Sequence, residues 1–300
     1  MFFRLKRAAS VWRLSRAIGR VRESAPLRPS GPGPLVISML RGFDVPAYLL
    51  ALKSFARQVP PGAVEVIDDG TLRPDDHALL RHHVEGLVIT PVAAIGVGDC
   101  PKGGTWERLV HILDRSAGRY VVQLDADILT TGPLPEVAAA IAENRCFTLG
   151  TDPGLRIVST AEAAAAVANE PIGATQVAAE QALGRLPAGI GTRYVRGSSG
   201  FAGFARAAVT RAQAEAFSRA MRADLGPRWD EWGTEQVASN FLVANAPGGA
   251  LLPWPEYCCF YGTAPDPRTR LFHFLGTWRF VGGVYARRGR EVAEALARGA

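Results

Sequence analysis

Apolar residues follow two rhythms along the first 130 positions. Short, nearly unbroken apolar runs at 35–40 (Leu-Val-Ile-Ser-Met-Leu) and 63–67 alternate with stretches at 45–57 and 75–83, where apolar residues recur every three or four positions. The short runs suit buried strands, and the wider spacing suits helices with one buried face. A third strand is predicted over 86–90, a helix over 106–116, and a strand over 120–128, Tyr-Val-Val-Gln-Leu-Asp-Ala-Asp-Ile. Alternating strands and helices with apolar strands predict an α/β domain: a mainly parallel central sheet flanked by helices, with its sites beyond the carboxyl ends of the strands. Asp68, Asp69, Asp125 and Asp127 all fall at such ends.

Beyond this motif the pattern loosens. Ser159 and Glu162 form a capping box, and the alanine-rich stretch up to Leu183 reads as one or two surface helices broken at Pro171. Residues 155–193 are therefore expected to be a helical insertion or lid. Residues 194–205 read as strand flanks around a small-residue turn at Ser198-Ser199-Gly200. Helices are predicted over 207–223 and 234–244, strand-like aromatics over 251–260, and a short helix after Arg290. Pro, Gly and Ser crowd residues 26–34, which reads as a linker. The expected division is a basic N-terminal segment and linker (1–34), one catalytic domain (35–285) and a C-terminal helix (286–300).

Charge changes this picture at one end only. The net charge of +6 is concentrated in residues 1–30, which hold eight Lys or Arg against Glu23 alone, leaving 26 basic and 27 acidic residues in the other 270. A near-neutral body excludes a general nucleic-acid-binding surface. Phe2, Phe3, Leu5, Val11, Trp12, Leu14, Ile18 and Val21 lie among the N-terminal charges, as in a helix lying on an anionic membrane surface; a packed N-terminal helix reads equally well. Residues 1–25 are the expected membrane contact, with residues 1–28 dispensable to the fold. There is no signal-peptide h-region and no apolar stretch of about 18 residues, so the expected location is cytoplasmic, peripheral on the inner face of the membrane. Cys100, Cys146, Cys258 and Cys259 lack metal-cage or disulfide spacing and are expected to be reduced.

Asp125 and Asp127 carry the candidate chemistry. Strand residues i and i+2 point to the same side, so both carboxylates are expected to face solvent and one hard cation, Mn²⁺ or Mg²⁺. Five spaced elements then resemble the GT-A class of nucleotide-sugar glycosyltransferases, most closely the retaining, galactosyltransferase-like enzymes grouped with glycogenin (family 8-like). Leu124-Asp125-Ala126-Asp127 resembles the class's Asp-x-Asp motif, and Arg108-Leu109 its upstream Arg-Leu pair. Ser198-Ser199-Gly200 resembles an Asn-Ser-Gly turn with Ser for Asn. Glu235-Gln236 with Asn240 resembles an Asp-Gln-x-x-Leu-Asn segment, and His273-x-x-Gly276-x-x-Arg279 a His-x-x-Gly-x-x-Lys motif with Arg for Lys.

The resemblance implies a GT-A fold and transfer of a sugar from a nucleotide diphosphate donor, UDP-linked, to a glycan or lipid-linked acceptor, leaning towards retention. It implies Asp125, Asp127 and His273 as metal ligands, with Arg279 as the cation on the departing diphosphate. Gly276 would sit against that diphosphate and Arg108 would reach the diphosphate or sugar. Ser199, Gly200, Glu235 and Gln236 would face the donor sugar, with Glu235 as the acid near the anomeric centre. Asp68, Asp69 and Ser38 would touch base or ribose, although turn chemistry explains Asp68-Asp69-Gly70 as well. Three rivals stand beside this reading. A haloacid-dehalogenase-like phosphatase needs its acidic pair downstream, whereas Asp68-Asp69 lies upstream. A sugar-phosphate nucleotidyltransferase needs a glycine-rich basic loop that residues 40–43 match poorly. The third is an inactive membrane-associated scaffold.

Overall fold

The computed structural model describes residues 2–171 and 173–299, with backbone only for residues 2–9. Phe2, Phe3 and Leu5 therefore lie outside the described side chains. The fold is α/β, with a mostly parallel central sheet and flanking helices. The chain divides into two compact units. Met1–Thr90, Leu124–Pro135 and Pro255–Ala300 form the first, and Pro91–Gln123 with Glu136–Trp254 the second.

In the first unit the strands Leu35–Leu40 and Ala63–Asp68 pair in parallel, with Leu40 beside Asp68. Their apolar side chains are almost fully buried, as expected for strands covered on both faces. The helix Val45–Ala56 follows the first strand and is buried along nearly its whole length. A separate three-stranded sheet has Leu271–His273 at its centre, parallel to Tyr257–Cys259 and antiparallel to Ile128–Thr130. The predicted strand over 120–128 is thus two strands, Val121–Leu124 and Ile128–Thr130, broken by a turn in which Ile128 N–H donates to Asp125 O at 3.2 Å.

Both chain ends pack into this unit. Leu14, Ala17, Ile18 and Val21 are buried. Residues 26–34 are no free linker, because Leu27 bridges to Val84, with Leu27 N–H donating to His83 O at 2.8 Å and Glu85 N–H to Leu27 O at 3.0 Å. Lys53, almost fully buried, donates to Ser24 Oγ (2.7 Å) and Ala25 O (2.7 Å), and its Nζ lies 2.9 Å from His83 Nδ1. Removing residues 1–28 would take Leu14, Ala17, Ile18 and Val21 out of this core and leave Lys53 without Ser24 and Ala25 as acceptors. The C-terminal helix begins earlier than expected, at Val284, and runs to Ala297. It contains Gly289, where a Cβ would lie 2.9 Å from Ile18 Cγ2 and 3.3 Å from Leu50 Cδ2. A glycine that reads as a helix breaker is there to let helices approach.

In the second unit Phe147–Gly150 pairs in parallel with Ala250–Leu251 and antiparallel with Gly197–Phe204. The expected turn at 198–200 is instead continuous strand. Its register jumps between Thr148 (opposite Ala202) and Leu149 (opposite Ser198), so Ser199, Gly200 and Phe201 form the irregularity. The expected insertion is closed at its base by the strand pair Val158–Ser159 and Arg193–Tyr194, and carries the helices Thr160–Ala166 and Thr175–Ala182. The predicted helix over 207–223 is Arg211–Leu225, capped by Thr210 with Gln213, and Ala207 before it has φ +56°. Trp229 is fully buried against Trp106 and Phe217, a core role. All four cysteines are free and buried.

Candidate metal centre and the polar clusters

Backbone pairing brings the ligand set of the first unit together. The strand before the motif ends at Leu124, whose carbonyl accepts a 2.5 Å hydrogen bond from Ser38 Oγ. Antiparallel pairing sets His273 opposite Ile128, and Phe274 N–H donates to Asp127 O at 2.9 Å. One ligand atom each from Asp125, Asp127 and His273 lies within 4.8 Å of the other two. Ligands bonded at about 2.2 Å to one cation lie no more than about 4.4 Å apart, so shifts of a few tenths of an ångström would close the set. Two carboxylates and an imidazole suit Mn²⁺ better than Mg²⁺, which prefers all-oxygen shells.

Asp127 is only 7% exposed, which corrects the expectation of a solvent-facing ligand; Asp125 is partly exposed. The Asp127 carboxylate is held from two sides, by His273 Nε2 at 3.2 Å from Oδ1 and by Arg279 Nη2 at 2.6 Å from Oδ2. Burial disfavours its charge, yet His273 and Arg279 outweigh burial and hold its pKa below the usual carboxylate range. Burial likewise disfavours the His273 cation, but Asp127 lifts it to about 10. Arg279 Nη1 also donates to Asp44 Oδ1 at 3.1 Å, and its Nε donates to Gly276 O at 3.0 Å. Asp44 did not emerge from the sequence. Its only signal was its place in the short turn after the first strand, where α/β folds carry ligand-facing residues. Gly276 has φ +46°, a turn conformation that glycine adopts without strain.

Other residues read as ligand-facing are spent locally. Ser38 is fully buried, and its hydroxyl donates to the strand end that precedes Asp125. Asp68 accepts from Gly70 N–H (2.8 Å) and faces His77 Nε2 (3.1 Å), while Asp69 accepts from Thr71 N–H (3.0 Å) and Oγ1 (2.7 Å). Both carboxylates build the turn.

The second unit gathers Arg108, Ser199 and Glu235. Arg108 Nη2 lies 3.3 Å from each Glu235 oxygen and 3.3 Å from Ser199 Oγ, and Glu235 Oε2 accepts from Ser199 Oγ (2.9 Å) and Thr105 Oγ1 (3.1 Å). Glu235 is 2% exposed. Both its oxygens are engaged, which makes it a buried ion-pair partner of Arg108. Gln123 donates through its amide to Ser199 O, and Gly200 N–H donates to Ser198 Oγ at 3.3 Å. Gln236, partly exposed, donates to Gln176 Oε1 at 3.4 Å. Asn240 is fully buried, with its amide donating to Gly197 O at 2.7 Å and its carbonyl accepting from Thr148 Oγ1 at 2.7 Å. The resembling segment Glu235-Gln236-Asn240 thus also pins strand to helix.

No protein-family model matches the chain, and no curated protein sequence matches it. Among solved structures it is similar to the apo form of mouse xyloside xylosyltransferase 1, at 12% identity over 82% of this chain and 97% of that one, TM-score 0.46. It is also similar to the galactosyltransferase LgtC in complex with donor and acceptor sugar analogues, at 14% identity over 87% and 95%, TM-score 0.47. A third similar structure is the core-mannan synthase CmsA/Ktr4 of Aspergillus fumigatus in an Mn/GDP form, at 10% identity over 88% and 84%, TM-score 0.44. Likenesses this distant leave the chemistry to the chain's own residues.

Proposed function

We propose that this protein is a metal-dependent, GT-A-type glycosyltransferase that moves a sugar from a nucleotide diphosphate donor, UDP-linked, to a glycan or lipid-linked acceptor, with retention as in the family 8-like enzymes it resembles. The observation that supports this most is the convergence of Asp125, Asp127 and His273 where one strand ends and the next begins, with Arg279 against Asp127. These three side chains would hold Mn²⁺. A bound divalent ion would neutralise charge developing on the departing diphosphate.

The chain's own residues supply the rest. The antiparallel pairing of His273 with Ile128 fixes the imidazole against the motif, so little ordering is left for the binding step. Arg279 offers a planar guanidinium already oriented by Asp127, Asp44 and Gly276, with N–H donors left over for a phosphate oxygen. Asp44 is the positioning residue for that fork. In the second unit the buried Arg108–Glu235 pair orders Ser199 and the start of the helix Thr234–Asn245, which carries Gln236.

The test is a panel of UDP-, GDP- and other nucleotide-sugars assayed for hydrolysis with Mn²⁺, with Mg²⁺ and with chelator. Release of a nucleoside diphosphate that requires metal and disappears in Asp125→Asn is expected. Metal-independent turnover, or release of inorganic phosphate from sugar phosphates, would turn the reading towards a hydrolase.

A further inference from the structure

Seven large apolar side chains are exposed among the described residues, and Trp12 and Phe43 are two of the most exposed, at 61% and 70%. They line one cleft of about 480 Å³ in the first unit, with Ser15, Arg16, Arg22, Pro46 and Arg73 among its other walls. An arginine lies over each ring: Arg16 is 5.6 Å from the centroid of Trp12, and Arg41 is 5.9 Å from that of Phe43. Among the described residues Arg16, Arg22 and Arg41 enter no ion pair. Asp76 is the one acid lining the cleft, and its carboxylate is turned onto Arg73 N–H at 2.9 Å.

Exposed aromatic rings beside Arg16, Arg22 and Arg41 match the chemistry of the interface between lipid headgroups and acyl chains. Charge complementarity points the same way: residues 1–30, which supply Trp12, Arg16 and Arg22, carry eight basic residues against one acid, while the rest of the chain is near neutral. A neutral body and a compact aromatic–arginine patch favour a planar anionic surface over a polyanion tracked along a groove. The anchor is firm, because Leu14, Ala17 and Ile18 on the other side of the same helix are buried.

We propose that the face formed by Trp12, Arg16, Arg22, Arg41 and Phe43 docks the protein on an anionic phospholipid bilayer. Phe43 precedes Asp44, whose carboxylate accepts from Arg279, so docking sets the Arg279 end of the metal centre at the bilayer surface. That last link rests on the proposed function; the docking does not. A lipid-borne acceptor is the class such an arrangement would serve.

The test is flotation of the full-length protein with vesicles of phosphatidylcholine alone, or of phosphatidylcholine mixed with phosphatidylglycerol, in the absence of donor and metal. Binding to the anionic vesicles only, weakened by salt, is expected. The double variant Arg16→Glu/Arg22→Glu should bind at least about tenfold more weakly. Trp12→Ser/Phe43→Ser should also lose binding, while Arg16→Lys/Arg22→Lys should keep it. Every changed side chain is exposed, and an unchanged melting temperature identifies loss of docking rather than of fold. Equal binding to neutral vesicles, full binding by both loss variants, or binding to single-stranded oligonucleotide without vesicle binding would each overturn the proposal. Donor hydrolysis in detergent-free buffer, unaffected by these variants, keeps a failure of docking distinct from a failure of the glycosyltransferase reading.

Discussion

Asp125 and Asp127 differ more in environment than their spacing suggests. Asp127 is buried and bonded to His273 and Arg279, whereas Asp125 is partly exposed. Asp125→Asn is therefore expected to leave metal-free stability within about 1 kcal/mol, and Asp127→Asn to lower it by about 2–4 kcal/mol by removing the buried carboxylate charge that His273 and Arg279 share. Urea denaturation in chelator measures both, and equal costs would show that burial does not separate the two. Glu235→Ala should cost about 3–5 kcal/mol because it removes a carboxylate counter-charge from the buried Arg108, while the pair Arg108→Met/Glu235→Leu should cost less than Glu235→Ala alone. Strictly additive losses in the same denaturation assay would contradict a coupled pair. The sequence shows which residue types stand at strand ends, so Asp125, Asp127, Arg108 and Glu235 could be picked out. It does not show what they spend their hydrogen bonds on. Ser38 and Asp69 looked available because their partners, Leu124 O and Thr71, are backbone and turn groups with no periodic signature.

At the scale of elements, apolar runs located the strands at 35–40 and 63–68 within a residue or so, because a strand buried on both faces leaves a continuous apolar run. Elements shaped by tertiary contact were harder to read. Gly289 lies inside a helix because Ile18 presses on it, and the small residues 199–201 form a register irregularity rather than a turn. The stretch 26–34 has a linker's composition, yet Leu27 pairs with His83 and Glu85. That anchor carries a pH dependence. Burial first, then the charges of Lys53, His82 and Arg22, pull the His83 pKa down to about 4. Between about pH 6.5 and 4 the unfolded imidazole is protonated and the folded one is not, so stability falls as pH falls through that window. Denaturation at pH 7 and pH 4.5 should show an acid loss of about 1–2 kcal/mol from this group, absent in His83→Leu. An identical acid loss in that variant would remove His83 as its source.

At the scale of the whole chain, strand–helix alternation announced an α/β fold, and the charge split announced a neutral body with a basic N-terminal end. Division into two units was not legible, because the first is assembled from three separate stretches of sequence, 1–90, 124–135 and 255–300. The same long-range assembly carries His273 and Arg279 to Asp127, a separation of about 150 residues that no local pattern encodes. Among the described residues no helix is long and apolar enough to cross a membrane. The central claim is that the cluster built by this assembly grips a divalent ion with a nucleoside diphosphate. Isothermal titration of UDP into the full-length protein, with Mn²⁺ and with chelator, tests it most directly. Binding that requires Mn²⁺, and that is lost in Asp125→Asn while His77→Gln retains it, is the predicted result. Absence of UDP binding in both conditions, or binding indifferent to Mn²⁺ and to Asp125, would contradict it.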